Sequence, residues 1–261
     1  MARILSVANQ KGGVGKTTTA ANLACCRAMA GARCLLIDMD PQANATSGMG
    51  VDPEIAQGKI HPLLRQPRGP AKSTTKPSMD GWVSIRPNGL HVLAGTPLLQ
   101  EVERQLAALP DGHLRLAELV DAIQDQYDTI ILDCPPSLGL LTTNALYASD
   151  AVIIPIQCEY FAMEGLARIL DLVARVGKAR GREVSLAGVV LTMFDEVQDL
   201  CREVAGEVCG YFKDAAFRTV IPRDVALAEA PSHGASIVEY QPRSRGAHAY
   251  VELAREAFAG G

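Results

Sequence analysis

The sequence predicts an α/β fold, a doubly wound, mainly parallel sheet with helices on both faces. Three observations predict it. Short apolar runs alternate with helical patterns along the chain, the rhythm of parallel strands joined by crossover helices. The first run, from Arg3 to Ala8, leads directly into a glycine-rich stretch and then a helical one. Two later runs end in aspartate, at Asp38 and Asp133, and open α/β sheets bind ligands at the carboxyl ends of their strands.

The chain is organised around Asn9-Gln10-Lys11-Gly12-Gly13-Val14-Gly15-Lys16-Thr17-Thr18-Thr19. A strand before it and a helix from Thr18 to Met29 after it supply the setting of a phosphate-binding loop. Glycines let backbone N–H groups turn inward around phosphate oxygens. The helix N-terminus adds partial positive charge, Lys16 is placed to reach the terminal phosphates, and Thr17 to bind Mg²⁺. The nucleotide-binding set is therefore Gly12, Gly13, Val14, Gly15, Lys16, Thr17 and Thr18. The common loop pattern has glycine where this chain has Gln10, and here a second lysine, Lys11, lies inside the loop. Lys-Gly-Gly-Val-Gly-Lys-Thr-Thr resembles the deviant Walker A loop of the ParA/MinD family of P-loop ATPases, which implies ATP and Mg²⁺ as cofactors.

Length and composition bound the rest. With 261 residues, 48% of them hydrophobic, the chain can bury a sizeable core, and one domain over 1–261 is expected. No apolar run approaches the ~18 residues of a membrane span. Met1-Ala2-Arg3 runs straight into the first strand, so neither a signal peptide nor an N-terminal DNA-binding domain is expected. The seven cysteines form no Cys-x-x-Cys pair, which fits reduced thiols in a cytoplasmic protein. A net charge of −4 argues against coating nucleic acid over the whole surface. Residues 57–90, however, hold six Lys/Arg against Asp80 alone, so that segment is +5 and the rest of the chain −9.

After the first helix, with Gly31 as its stop, Arg33 to Ile37 reads as a second buried strand. It ends in Asp38-Met39-Asp40-Pro41-Gln42, two carboxylates at i and i+2. One can hold Mg²⁺ through water while the other orients the attacking water. Residues 50–97 hold seven of the fifteen prolines and read as a surface loop, with a basic, proline-rich insertion at about 55–80. Within this stretch Trp82–Ile85 and Leu90–Leu93 are expected to form a hairpin around Pro87-Asn88-Gly89. Leu98 to Gln126 is helical in pattern. Tyr127 to Asp133 is a strand, Ala151–Pro155 the next, and Glu164–Val176 an amphipathic helix. The basic cluster Arg175, Lys178, Arg180 and Arg182 at that helix's end suits its dipole. Leu186–Thr192 reads as a strand, Val197–Phe212 as a helix, Phe217–Pro222 as a strand, and a last helix runs through Ala257.

Beyond the loop, the resemblance rests on Asp-x-Asp-Pro-Gln with Asn44-Ala45-Thr46, on Asp133-Cys134-Pro135-Pro136-Ser137, and on Gln157 to Leu166. These are similar to the switch and tail segments of Soj-like ParA proteins and cover 1–50 and 127–258. The resemblance implies that Asp40 positions the hydrolytic water, which leaves Asp38 as a Mg²⁺ candidate with Thr17 and Asp133, that Asp133 is a Walker B partner of Mg²⁺, and that Pro222, Arg223 and Asp224 border the base. It implies a homodimer sandwiching ATP, with Lys11 reaching the partner's phosphates. It also implies hydrolysis stimulated by a ParB-like protein, and non-specific binding to double-stranded DNA. Two family arginines of the DNA surface are absent, at Val197 and Ala226, while Arg223, Arg243 and Arg245 remain as candidates. A positioning ATPase acting on a protein scaffold is the alternative. A MinD-like membrane role lacks its basic amphipathic tail, because Ala249 to Phe258 carries two glutamates and one arginine.

Overall fold

A computed structural model describes residues 1–56, 59–65, 79, 81–159 and 162–259. Their centre is a seven-stranded sheet: β1 (Arg3–Val7), β2 (Cys34–Asp38), β3 (Ser84–Ile85), β4 (His91–Leu93), β5 (Thr129–Asp133), β6 (Ala151–Gln157) and β7 (Ser185–Thr192), in the order β3-β4-β2-β5-β1-β6-β7. Only the β3–β4 pair is antiparallel. Every residue of β2 and β5 is buried, which explains their unbroken apolar runs, since each face of a central parallel strand is covered by helices.

The helices are α1 (Lys16–Met29), α2 (Asn44–Gly48), α3 (Ile60–Arg65), α4 (Leu99–Ala107), α5 (Arg115–Ile123), α6 (Leu140–Ala148), α7 (Ala162–Arg180), α8 (Asp199–Phe212), α9 (Val225–Glu229), α10 (Ile237–Tyr240) and α11 (Arg245–Ala257). Alternate strand residues feed two cores. Ile4, Leu35, Ile37, Ile130 and Leu132 pack with α4 to α8, whereas Leu5, Leu36, Ile131 and Ile153 pack with α1, α2 and α11. Among the described residues, no helix is long and apolar enough to cross a membrane.

The 98–126 stretch is helical as expected, divided in two around Pro110 with a short 3₁₀ turn at Gly112–Leu114. Three expectations change. The 50–97 stretch is not all surface loop: Ile60 and Leu64 of α3 are fully buried in the core. Arg68, Lys72, Lys76 and Asp80 lie outside the described residues. In the hairpin, only Ser84–Ile85 of the expected first strand pairs. Phe217–Pro222 forms no strand; it makes isolated bridges at its flanks, Ala216 to Val189 and Pro222 to Phe194. The cause is a tertiary contact: the Arg218 and Thr219 N–H groups donate to the Glu256 carboxylate on α11, at 2.7 and 3.0 Å, instead of to a neighbouring strand.

Candidate functional site

The sheet register assembles the site before any loop is considered. Asp133 at the end of β5 pairs with Val7 of β1 on one side and Asp38 of β2 on the other. The glycine loop therefore leaves β1 directly beside two strand-end carboxylates, at the point where the strand order reverses.

Side chains at both ends brace the loop. Asn9, only 3% exposed, donates to the Pro155 carbonyl at 2.7 Å and accepts from the Lys11 N–H at 3.1 Å. Thr192 at the end of β7 donates to the Val14 carbonyl at 2.9 Å. Gly13 and Gly15 hold φ of 75° and 83°, a left-handed backbone that would cost any other residue about 1–2 kcal/mol each. Gly15 caps α1 and offers no side-chain hydrogen bond, so the first-turn N–H groups stay open to an anion.

The two lysines are placed differently. Lys16 is buried, and its Nζ donates to the Lys11 carbonyl at 2.8 Å. Burial pulls its pKa down, opposed by the charge of Asp133 and then that of Asp40. Lys11 points outward, about a third exposed, and forms an ion pair with Glu159 beyond β6.

The three carboxylates also differ. Asp133 is fully buried and, among the described residues, neither of its oxygens meets a donor in full hydrogen-bond geometry, the Thr17 hydroxyl being the side-chain donor beside it. Burial, and then the neighbouring charge of Asp38, raise its pKa well above the usual carboxylate range, while the Thr17 hydroxyl and Lys16 favour its charged form. An orphaned carboxylate beside a threonine hydroxyl and a phosphate loop is the donor set that suits Mg²⁺, which takes one or two protein oxygens and completes its shell with phosphate and water. Consistent with that, no cage of three or more His, Cys, Asp or Glu side chains occurs among the described residues. Asp38 is equally buried but saturated: it accepts from the Thr46 N–H at 2.8 Å, the Thr46 hydroxyl at 2.7 Å and the Asp40 N–H at 3.0 Å. Its pKa is pushed up to about 6, burial outweighing those hydrogen bonds. Asp40 accepts from the Gln42 N–H at 2.9 Å through Oδ1.

Pro222 lies against the end of β7, where the Phe194 N–H donates to the Ile221 carbonyl and the Arg223 N–H to the Phe194 carbonyl, both at 3.0 Å. The Asp224 carboxylate is engaged structurally. It caps α9 through the Ala226 N–H at 3.1 Å and receives the Gly246 N–H of α11 at 2.8 Å. Arg223, Arg243 and Arg245 are all exposed. The Arg245 guanidinium reaches the Arg223 carbonyl at 3.5 Å, and both line a cleft of about 510 Å³ with Asp195, Val197 and Pro222. Val197 is 82% exposed, whereas Ala226 is buried.

Sequence reasoning assigned no role to Glu159, the partner of Lys11, or to Thr46, the partner of Asp38. Both lie inside the quoted motif stretches, yet nothing in spacing alone announces such partners.

A family model described as an AAA domain matches residues 2–186. The chain is 45% identical over 264 residues to the sporulation initiation inhibitor protein Soj of Bacillus subtilis, covering 100% of both chains. It is 42% identical over 254 residues to the chromosome partitioning protein ParA of Myxococcus xanthus, covering 97% of this chain and 87% of that one. Among solved structures, the cobyrinic acid a,c-diamide synthase of Mycobacterium smegmatis with bound ADP and magnesium superposes with a TM-score of 0.81 at 30% identity, covering 100% of this chain and 97% of that one.

Proposed function

Because this chain belongs to the Soj/ParA family of chromosome-partitioning ATPases, we propose that it is an ATP-switched dimer that binds duplex DNA without sequence preference and is reset by a ParB-like activator. The protein is an ATPase with ATP and Mg²⁺ as cofactors. The division of labour between the two loop lysines supports the dimer. Lys16 is folded into its own loop, while Lys11 sits at the surface in an ion pair that a second protomer's phosphates can replace.

Each residue then has a task. The open N–H groups of the loop and of α1 surround the phosphates, and Lys16 swings from the Lys11 carbonyl to the terminal phosphate. Thr17 and Asp133 hold Mg²⁺, which when bound neutralises phosphate charge. Asp40 keeps Oδ2 without a hydrogen-bond partner among the described residues and uses it to orient the attacking water. Lys11 from the partner protomer stabilises charge developing on the transferred phosphoryl group, as an arginine finger does. A site completed across two chains ties ATP to dimerisation as one linked equilibrium.

Arg223, Arg243 and Arg245 form the DNA surface in this reading. A protein scaffold in place of DNA is the second reading, favoured by Val197, which is 82% exposed where the family resemblance puts an arginine.

The dimer is tested by light scattering with ATP and with ADP. The wild-type chain is expected to dimerise in ATP alone. Lys16→Ala is expected to lose ATP binding, and Lys11→Ala to bind ATP but stay monomeric. A Lys11→Ala chain that dimerises like the wild type would contradict the assignment.

A further inference from the structure

We propose that Thr46 is a positioning residue for ATP hydrolysis, acting through Asp38 on Asp40; this rests on the water-orienting role proposed for Asp40. The geometry forms a chain of contacts in the buried interior. Thr46 is fully buried and holds Asp38 Oδ2 twice, by its N–H at 2.8 Å and its hydroxyl at 2.7 Å. The other oxygen, Asp38 Oδ1, accepts from the Asp40 N–H at 3.0 Å. Thr46 is itself fixed, because its hydroxyl oxygen accepts from the Gly95 N–H at 2.9 Å. Gly95 must stay glycine for this approach, since a Cβ there would lie 2.8 Å from Asp38 Cγ and 2.9 Å from the Asp38 carbonyl oxygen.

Between Asp40 and Thr46 the backbone is under tension. Ala43 sits at φ 52°, left-handed without being glycine, and its N–H closes a tight turn onto the Asp40 carbonyl at 2.9 Å. Such a conformation persists only where its surroundings over-determine it. The double hold of Thr46 on Asp38 is what closes the loop from the far side. Loss of the hydroxyl bond lets Asp38, and with it the Asp40 backbone, relax from the position the water requires. A misplacement of about 1 Å at a reacting group can lower a rate on the order of a hundredfold.

Asp38 thereby serves a different purpose from Asp133. Its oxygens are taken by three protein donors, whereas those of Asp133 meet no donor in full hydrogen-bond geometry among the described residues, with only the Thr17 hydroxyl beside them. Thr46 is thus expected to affect the hydrolytic step and not the binding of Mg²⁺ or nucleotide.

The experiment compares wild type, Thr46→Val, Thr46→Ser, Asp38→Asn, the Thr46→Val/Asp38→Asn double variant and Asp40→Ala. It measures ATP affinity, half-saturating Mg²⁺ for nucleotide binding, and single-turnover hydrolysis. Thr46→Val is expected to hydrolyse ATP on the order of ten- to a hundredfold more slowly, with ATP affinity and Mg²⁺ half-saturation unchanged. Thr46→Ser, which keeps the hydroxyl, is expected to restore the rate to within about threefold. Asp38→Asn is expected to be as slow as Thr46→Val, and the double variant no slower than Asp38→Asn, the non-additivity of residues acting in one line. Normal hydrolysis by Thr46→Val overturns the proposal, and so does a defect that serine does not rescue. Should Thr46→Val not fold, normal hydrolysis by Asp38→Asn overturns it on its own. Asp40→Ala separates the two layers. If that variant hydrolyses ATP normally, the role of Asp40 fails; if it is inactive while Thr46→Val is normal, only the role of Thr46 fails.

Discussion

Asp133 carries the sharpest contrast between folding and function. A buried carboxylate that no described residue holds in a full hydrogen bond destabilises the free protein whenever it is charged, and the Thr17 hydroxyl and Lys16 only partly offset that cost. Its folded pKa lies above the unfolded value, so the folded state holds the proton longer. The stability attached to that proton is present below the unfolded pKa and is lost as pH rises through the folded one. Asp133→Asn, neutral at every pH, is therefore expected to raise the melting temperature of the nucleotide-free protein at pH 8, by about 2–4 °C for each ~1 kcal/mol relieved. The advantage is expected to shrink as pH falls and Asp133 protonates in the wild type. Added Mg²⁺ and ATP are expected to stabilise the wild type and not the variant. Thermal unfolding across a pH series checks this, and a variant that melts lower at pH 8 would contradict it. At this scale the sequence was legible for the residues that the proposed function sets around the nucleotide, because spacing alone marks Lys16, Thr17 and the strand-end aspartates. It was not legible for their supports. Thr46 lies eight positions from Asp38 and Glu159 lies 148 from Lys11, distances that only the folded sheet closes.

Among the elements, α6 depends on a helix far away in sequence. It begins just after the 134–139 segment that follows Asp133, and its cap residue, Gly139, has no side chain to accept the first N–H groups. Glu103 on α4 supplies the acceptor, taking the Leu140 and Leu141 N–H groups on Oε1 at 2.8 and 3.2 Å. Glu103→Ala is expected to cost about 1 kcal/mol, the usual penalty for a lost N-cap. Glu103→Gln, which keeps an acceptor oxygen, is expected to recover most of it. Chemical denaturation of the three chains measures both differences, and equal stability of all three would contradict the role. Element reading from sequence succeeded where one pattern ruled: β2 and β5 carry unbroken apolar runs up to their terminal aspartates because both faces are covered. It failed at 217–222, whose β-like composition was overridden by a carboxylate from α11, a contact no local pattern announces. It failed again at Ile60–Arg65, where prolines nearby pointed to a loop and two buried residues made a core helix.

Across the whole molecule, the parallel order and register place the glycine loop, Asp38, Asp40 and Asp133 at one end of the sheet. The exposed arginines at 223, 243 and 245 cluster around the end of β7 and the start of α11. With a net charge of −4, the DNA binding proposed for this protein would depend on such a local patch rather than on the protein as a whole. The alternation of strands and helices foretold this architecture; the surface that meets a partner was not legible, because solvent-exposed positions obey no periodicity. Val197 and Ala226 illustrate it, since one is exposed and the other buried although the family resemblance puts an arginine at both.

The most direct test of the account is binding of the purified protein to random-sequence duplex DNA, with ATP, with ADP and without nucleotide, across a salt series. Binding is expected in ATP alone. A dimer contributing three arginines from each protomer should contact about six phosphates, giving a slope of log K against log salt of roughly −5. An ATP dimer that shows no DNA binding at low salt would contradict the account and turn it toward a protein scaffold.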